Sequence, residues 1–113
     1  MQVQVVEDAT GTWLRVRGPV DFAEAQALVR AGVALLRAGD RGPLRLDLAG
    51  VSYLDSSGLS ALLDLQLQAA HLGRKLEVHN PSAPVLQSLR LARLEQAFSL
   101  HHEGSCEGAL RSS

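Results

Sequence analysis

The pentapeptide Leu54-Asp55-Ser56-Ser57-Gly58 constrains this chain most, because two different periodicities meet there. Upstream, Leu44-Arg45-Leu46-Asp47-Leu48 alternates apolar and charged residues, the period of a half-buried strand. Downstream, a leucine-rich run from about Ser57 to Gly73 follows the spacing of an amphipathic helix. A strand passing into a helix through a short polar turn implies an α/β unit. It sets two hydroxyls and one carboxylate at the helix N-terminus. The first amides of a helix lack partners and carry partial positive charge, so that end accommodates an oxyanion. A serine there has three readings: a helix cap, a phosphate acceptor or a nucleophile.

The rest of the chain supplies the partners of this unit. Gln2 to Glu7 and Thr12 to Arg17 read as strands joined by the Ala9-Thr10-Gly11 turn, a hairpin that Gly18-Pro19 ends. Asp21, with Glu24 three residues on, has the form of a capping box. It opens a helix reaching Ala38, with Phe22, Ala25, Leu28, Val29, Leu35 and Leu36 at helical spacing. Gly39 to Pro43 break that helix before the strand Leu44 to Leu48. After Gly73, which suits a helix C-terminus, Lys75 to His79 alternate again, and Asn80-Pro81 turn. A third helix is expected over Ala83 to Ala92, with Val85, Leu86, Leu89 and Leu91 apolar, then a short strand at Phe98-Ser99-Leu100. Residues 1–102 form the expected domain, and 103–113 a polar tail, weakly helical or disordered.

Strands that alternate with charged residues do not suit a sheet covered on both faces, whose strands read as continuous apolar runs. The expected fold is therefore α/β: one domain with a mixed four- to five-stranded sheet and its helices mainly on one face. The dinucleotide glycine fingerprint and the phosphate loop are both absent from the sequence. A net charge of −1, without a basic cluster or aromatic platform, argues against nucleic acid as a partner. The single cysteine, Cys106, precludes an internal disulfide and suits a reducing cytosol. No leader or membrane-spanning run is evident, so a bacterial cytoplasmic protein is expected.

Among candidate sites, Asp21 and Asp55 could be paired carboxylates, but both sit at helix starts and read better as caps. Ser56 lacks the Gly-x-Ser-x-Gly frame and an assignable base, which disfavours a nucleophile. His71, His79, His101 and His102 lack a metal-cluster spacing, and the adjacent pair would face opposite ways on a strand, so no metal and no cofactor is expected. On the second helix, Leu59, Leu62, Leu63, Gln66, Ala69 and Ala70 mark the expected core side, with Leu65 and Leu67 at its flanks. Ser60, Asp64, Gln68 and His71 face out, so Ser60 and Asp64 join Ser56 on a candidate docking surface.

These residues carry a family resemblance. The run Leu46-Asp47-Leu48 … Val51-Ser52-Tyr53-Leu54-Asp55-Ser56-Ser57-Gly58-Leu59 resembles the signature of STAS domains, and more narrowly of bacterial anti-sigma factor antagonists. The order of elements agrees over about the whole chain, and Gly73-Arg74-Lys75-Leu76 and Asn80-Pro81 fall where the family turns. The resemblance implies a binding switch rather than an enzyme. Ser56 would be phosphorylated by an anti-sigma factor with a histidine-kinase-like ATPase fold. The unphosphorylated antagonist would sequester that factor, and a serine phosphatase would restore it after phosphorylation. Asp21, Asp55, Ser57, Gly58, Ser60 and Asp64 would border the partner, with Gly58 allowing close approach. The chain departs from the family where Gly18-Pro19-Val20-Asp21 replaces the usual Gly-Glu-Leu-Asp, and where Arg93-Leu94 replaces a Gly-Leu pair. The alternative that the same resemblance implies is the small STAS subunit of a bacterial phospholipid-transport ABC ATPase.

Overall fold

A computed structural model of the 113-residue chain describes residues 1–9, 11–38 and 42–102. The expected polar tail, 103–113, and most of the Gly39–Pro43 breaker lie outside the described residues. The elements are β1 (Gln2–Asp8), β2 (Gly11–Val20), α1 (Phe22–Leu36), β3 (Leu44–Leu54), α2 (Ser56–His71), β4 (Leu76–His79), α3 (Ala83–Leu91) and β5 (Ser99–His101), with a 3₁₀ turn at Glu95–Ala97. One mixed sheet takes the strands in sequence order. β1 and β2 are an antiparallel hairpin, and β2 through β5 run parallel.

Alternation decides which sheet face is covered. Leu14, Val16, Leu44, Leu46, Leu48, Leu76 and Val78 point to one side and are almost wholly buried there. The buried stripes of the helices, including Leu28, Leu62, Leu65, Val85 and Leu89, complete that core. The other side carries Trp13, Arg15, Arg45, Asp47, Glu77, His79 and His101, the positions between the core residues. Their charges pair with one another: Arg15 Nε reaches Asp47 Oδ2 at 3.2 Å, and Arg45 Nε reaches Glu77 Oε1 at 3.4 Å. Among the described residues, the charged strand positions thus form ion pairs on a face that no helix covers, instead of meeting a second apolar layer.

Several boundaries differ from the sequence expectation. β2 does not stop at Arg17: it runs through Gly18, at φ +89°, and Pro19 to Val20. β3 does not stop at Leu48 but continues to Leu54. The reason is two register shifts, Asp47 to Gly50 facing Arg15 to Arg17, and Val51 to Tyr53 facing Gly18 to Pro19. Each gives β3 one extra residue, so its buried positions change from 44, 46 and 48 to 51 and 54. A bulge also tolerates Pro19, which has no amide for a regular ladder. α1 ends at Leu36 rather than Ala38, and β5 lies one residue later than expected.

Burial also corrects several residue assignments. On α2, Leu65 and Ala61 are buried, whereas Leu59 and Leu63 are half-buried and Ala70 is exposed. The core stripe is therefore rotated toward Leu65, whose methyls press on Gly32 of α1. Phe22, counted with the core, is 78% exposed at the first position of α1. Leu91 is likewise exposed at the end of α3.

Backbone conformation at the helix ends fixes these layers. α2 ends in a Schellman motif: Gly73 adopts φ +68°, Arg74 N donates to Ala69 O at 2.8 Å, and Gly73 N to Ala70 O at 3.1 Å. α3 ends the same way, with Arg93 at φ +59° and Leu94 N donating to Leu89 O at 2.8 Å. Here an L-residue occupies the left-handed position that glycine favours. The Arg74 guanidinium then reaches back to the last carbonyls of α1, donating to Leu35 O at 3.0 Å, to Leu36 O at 2.9 Å and to Gly42 O.

Candidate functional site

The site forms where β2 and β3 end together. Val20 faces Leu54 in the parallel register, so the next residues, Asp21 and Asp55, leave the sheet side by side. Asp55 N donates to Val20 O at 3.4 Å and ties the two ends. Each aspartate then caps a helix. Asp21 Oδ1 accepts from Glu24 N at 3.1 Å, and Asp55 Oδ1 accepts from Gly58 N at 2.9 Å. The cap reading of both carboxylates therefore holds, and α2 begins at Ser56, one residue earlier than expected.

This arrangement separates the two serines from the capping task. Ser56 and Ser57 are the first two residues of α2, Ser56 exposed and Ser57 half-buried. Their amides have no carbonyl one turn below to receive them, a general property of the first helical turn. A hydroxyl, a positive helix end and a carboxylate cap therefore meet at one exposed corner.

Gly58 is turned inward rather than toward solvent. It is buried, and a Cβ built there would stand 2.6 Å from Val20 O and 2.6 Å from Leu54 Cδ1. The close approach it permits is between α2 and the end of β2, so it shapes the site from below instead of lining a surface. Ser60 is exposed and Asp64 half-buried, one and two turns along the same helix. Together with Ser57 they form the α2 wall of a groove of about 260 Å³, whose α1 wall is Phe22, Ala25, Gln26 and Val29. The sequence reading missed Phe22 and Gln26. The available signal was the position of Phe22: a large apolar residue directly after a cap lies off the buried stripe of Ala25, Leu28, Gly32 and Leu36.

α3 supports the site from the other side. Ser82 Oγ donates to Val51 O at 2.6 Å, and Ser88 Oγ donates to Leu54 O at 3.0 Å. Both carbonyls belong to the bulged half of β3, where the regular ladder is broken.

The histidines are arranged differently from the sequence expectation. His79 and His101 are cross-strand partners, and Glu77 precedes His79 on the same face. Their rings stack with centroids 4.6 Å apart, and His79 Nε2 lies 2.9 Å from Glu77 Oε1. Burial alone would raise the Glu77 pKa. The His79 hydrogen bond and the charges of His101, His79 and Arg45 outweigh it and hold the carboxyl below its ordinary value. His102 follows the strand and is exposed.

A five-stranded mixed sheet with three helices on one face, and an Asp-Ser-Ser-Gly turn opening the second helix, define a STAS-type architecture. The family model described as "Mlab, STAS domain" matches residues 3–101, and the chain belongs to the STAS domain family. The fold resembles an anti-sigma factor antagonist from Mycobacterium paratuberculosis, with a TM-score of 0.79 and 22% identity over 97% of this chain and 93% of that one. It also resembles the unphosphorylated form of the anti-sigma factor antagonist SpoIIAA, with a TM-score of 0.73 and 16% identity over 99% and 98% of the two chains. The phosphorylated form of the Bacillus SpoIIAA aligns with a TM-score of 0.67 and 14% identity over 96% and 99%. Among the described residues, no helix is long and apolar enough to cross a membrane.

Proposed function

We propose that this chain is an anti-sigma factor antagonist acting in the cytoplasm, a binding switch whose state is set by phosphorylation of Ser56. The observation that carries the reading is that Asp55, not a serine, caps α2. The exposed Ser56 hydroxyl is therefore available to a kinase without cost to the helix. A phosphoryl group would add about −1.5 to −2 charges at a helix end that tolerates them. The same charge beside Asp55 and near the groove wall of Asp64 would turn the corner strongly anionic. That repels a partner surface complementary to the unmodified, partly apolar groove at Phe22 and Val29. The partner in this reading is an anti-sigma factor with a histidine-kinase-like ATPase fold, and a serine phosphatase reverses the modification. Ser56 is a substrate here, so the chain itself performs no turnover.

The test is intact-mass analysis after incubation with ATP and each kinase-like anti-sigma factor of the same genome. One added phosphate, mapped to Ser56 and absent from Ser56→Ala, is expected. Ser56→Ala should bind the partner, and Ser56→Asp should bind at least about tenfold more weakly, equivalent to about 1.4 kcal/mol. Equal binding by the two variants refutes the switch. The second reading is a constitutive adaptor on a phospholipid-transport ATPase, with the Mlab description of the matching family model on its side. It predicts stable association with that ATPase and no phosphate on Ser56.

A further inference from the structure

We propose that Glu77, His79 and His101 form a binding site for a transition-metal dication of the zinc type on the sheet face that no described helix covers. The proposal is independent of the switch, because this cluster lies on the sheet face opposite the helices that build the Ser56 groove. The parallel register sets His101 directly across from His79, and Ser99 directly across from Glu77. All four side chains therefore project to one side. Each of the three metal-ligating residues offers one ligand atom, and these atoms lie within 4.8 Å of one another. His79 Nε2 is 2.9 Å from Glu77 Oε1, and His101 Nε2 is 3.9 Å from Glu77 Oε2. A tetrahedral ion with bonds near 2.0–2.2 Å requires ligand separations of about 3.3–3.6 Å, between those two values. The His79 and His101 rings, stacked at 11°, must turn out of parallel for both Nε2 lone pairs to converge on one ion.

The chemistry of the donors selects the ion. Two imidazoles and one carboxylate suit zinc, cobalt, nickel or copper, whereas magnesium and calcium favour all-oxygen shells. Ser99 Oγ lies 2.8 Å from His101 Nε2, at the edge of the cluster. Accessibility is graded: the side chains of His79, Glu77 and His101 are 4%, 14% and 38% exposed. Two ligands are thus preorganised in the sheet, and the third opens to solvent and leaves an entry path. The Trp13 ring packs edge-on against His79 at 4.6 Å and restricts its orientation. The Arg45 guanidinium, 3.4 Å from Glu77 Oε1, opposes a second cation, so it should weaken the site and not build it. A bound ion would bridge β4 to the three-residue edge strand β5 and hold that strand in the sheet.

The test uses untagged full-length protein, with Zn2+ by calorimetry and Co2+ by its visible absorption. One ion per chain is expected. His101→Ala and Glu77→Gln should each weaken binding more than about tenfold, since even an outer partner of a ligand costs that much. Arg45→Met should tighten it, while His71→Ala and Cys106→Ser should leave it unchanged. Far-UV circular dichroism checks the folding of each variant. Should Glu77→Gln fail to fold, His101→Ala and the imidazole NMR shifts of His79 and His101 on Zn2+ addition to the wild type decide. Absence of binding at millimolar Zn2+, undiminished binding by His101→Ala, or loss in Cys106→Ser overturns the proposal.

Discussion

Gly58→Ala opposes two effects of different sign at the base of the Ser56 corner. Helix propensity favours alanine over glycine by about 0.5–1 kcal/mol in a helix, so a surface site would gain stability. Here the new Cβ would lie 2.6 Å from Val20 O, 2.6 Å from Leu54 Cδ1 and 3.1 Å from Val20 Cγ1. The leucine methyl can rotate, but the carbonyl belongs to the backbone of β2 and accepts from Asp55 N. α2 must therefore move outward at its first turn. Forcing extra carbon into a packed site costs about 1–3 kcal/mol. The displacement also strains the 2.9 Å Asp55 cap of Gly58 N, and a lost cap costs about 1 kcal/mol. After the propensity gain is subtracted, the variant should be about 1–3 kcal/mol less stable than the wild type. Urea unfolding should show a lower midpoint at unchanged slope. A midpoint equal to or above the wild type would mean that α2 does not rest on Val20 as described, and the account of the site's geometry would fail with it.

Two further substitutions test the supports of the fold. Arg93→Gly should stabilise the protein by about 0.5–1 kcal/mol, because the left-handed cost of about 1–2 kcal/mol at φ +59° exceeds the extra unfolded freedom of glycine, about 0.4–1 kcal/mol. Thermal unfolding read by circular dichroism should rise by a few degrees, and a fall would refute the strain. Arg74→Met should destabilise by about 2 kcal/mol, since a charged donor to Leu35 O, Leu36 O and Gly42 O disappears. An unchanged denaturation midpoint for Arg74→Met would show that water replaces the guanidinium without loss.

Periods and caps carried most of the architecture in the sequence. Alternation in Leu14 to Val16, Leu44 to Leu48 and Leu76 to Val78 set the strands and, through their charged partners, the face that no described helix covers. Asp21 and Asp55 announced the two helix starts, and Gly73 the end of α2, because capping is governed by residues a few positions apart. The Asp-Ser-Ser-Gly turn was legible as the candidate site for the same reason. What tertiary structure alone decided depends on residues distant in sequence. The two bulges of β3 exist only opposite β2, so neither strand's end could be read locally. Leu65 became the centre of α2's buried stripe because Gly32 on α1 makes room for it, and Phe22 was left at the groove because α1 packs on Ala25 and Leu28. His79 and His101 met Glu77 only through the pairing of β4 with β5. Local hydrogen bonding and hydrophobic period are written within one segment, whereas register, bulges and the rotation of a helix are set by the surface it packs against.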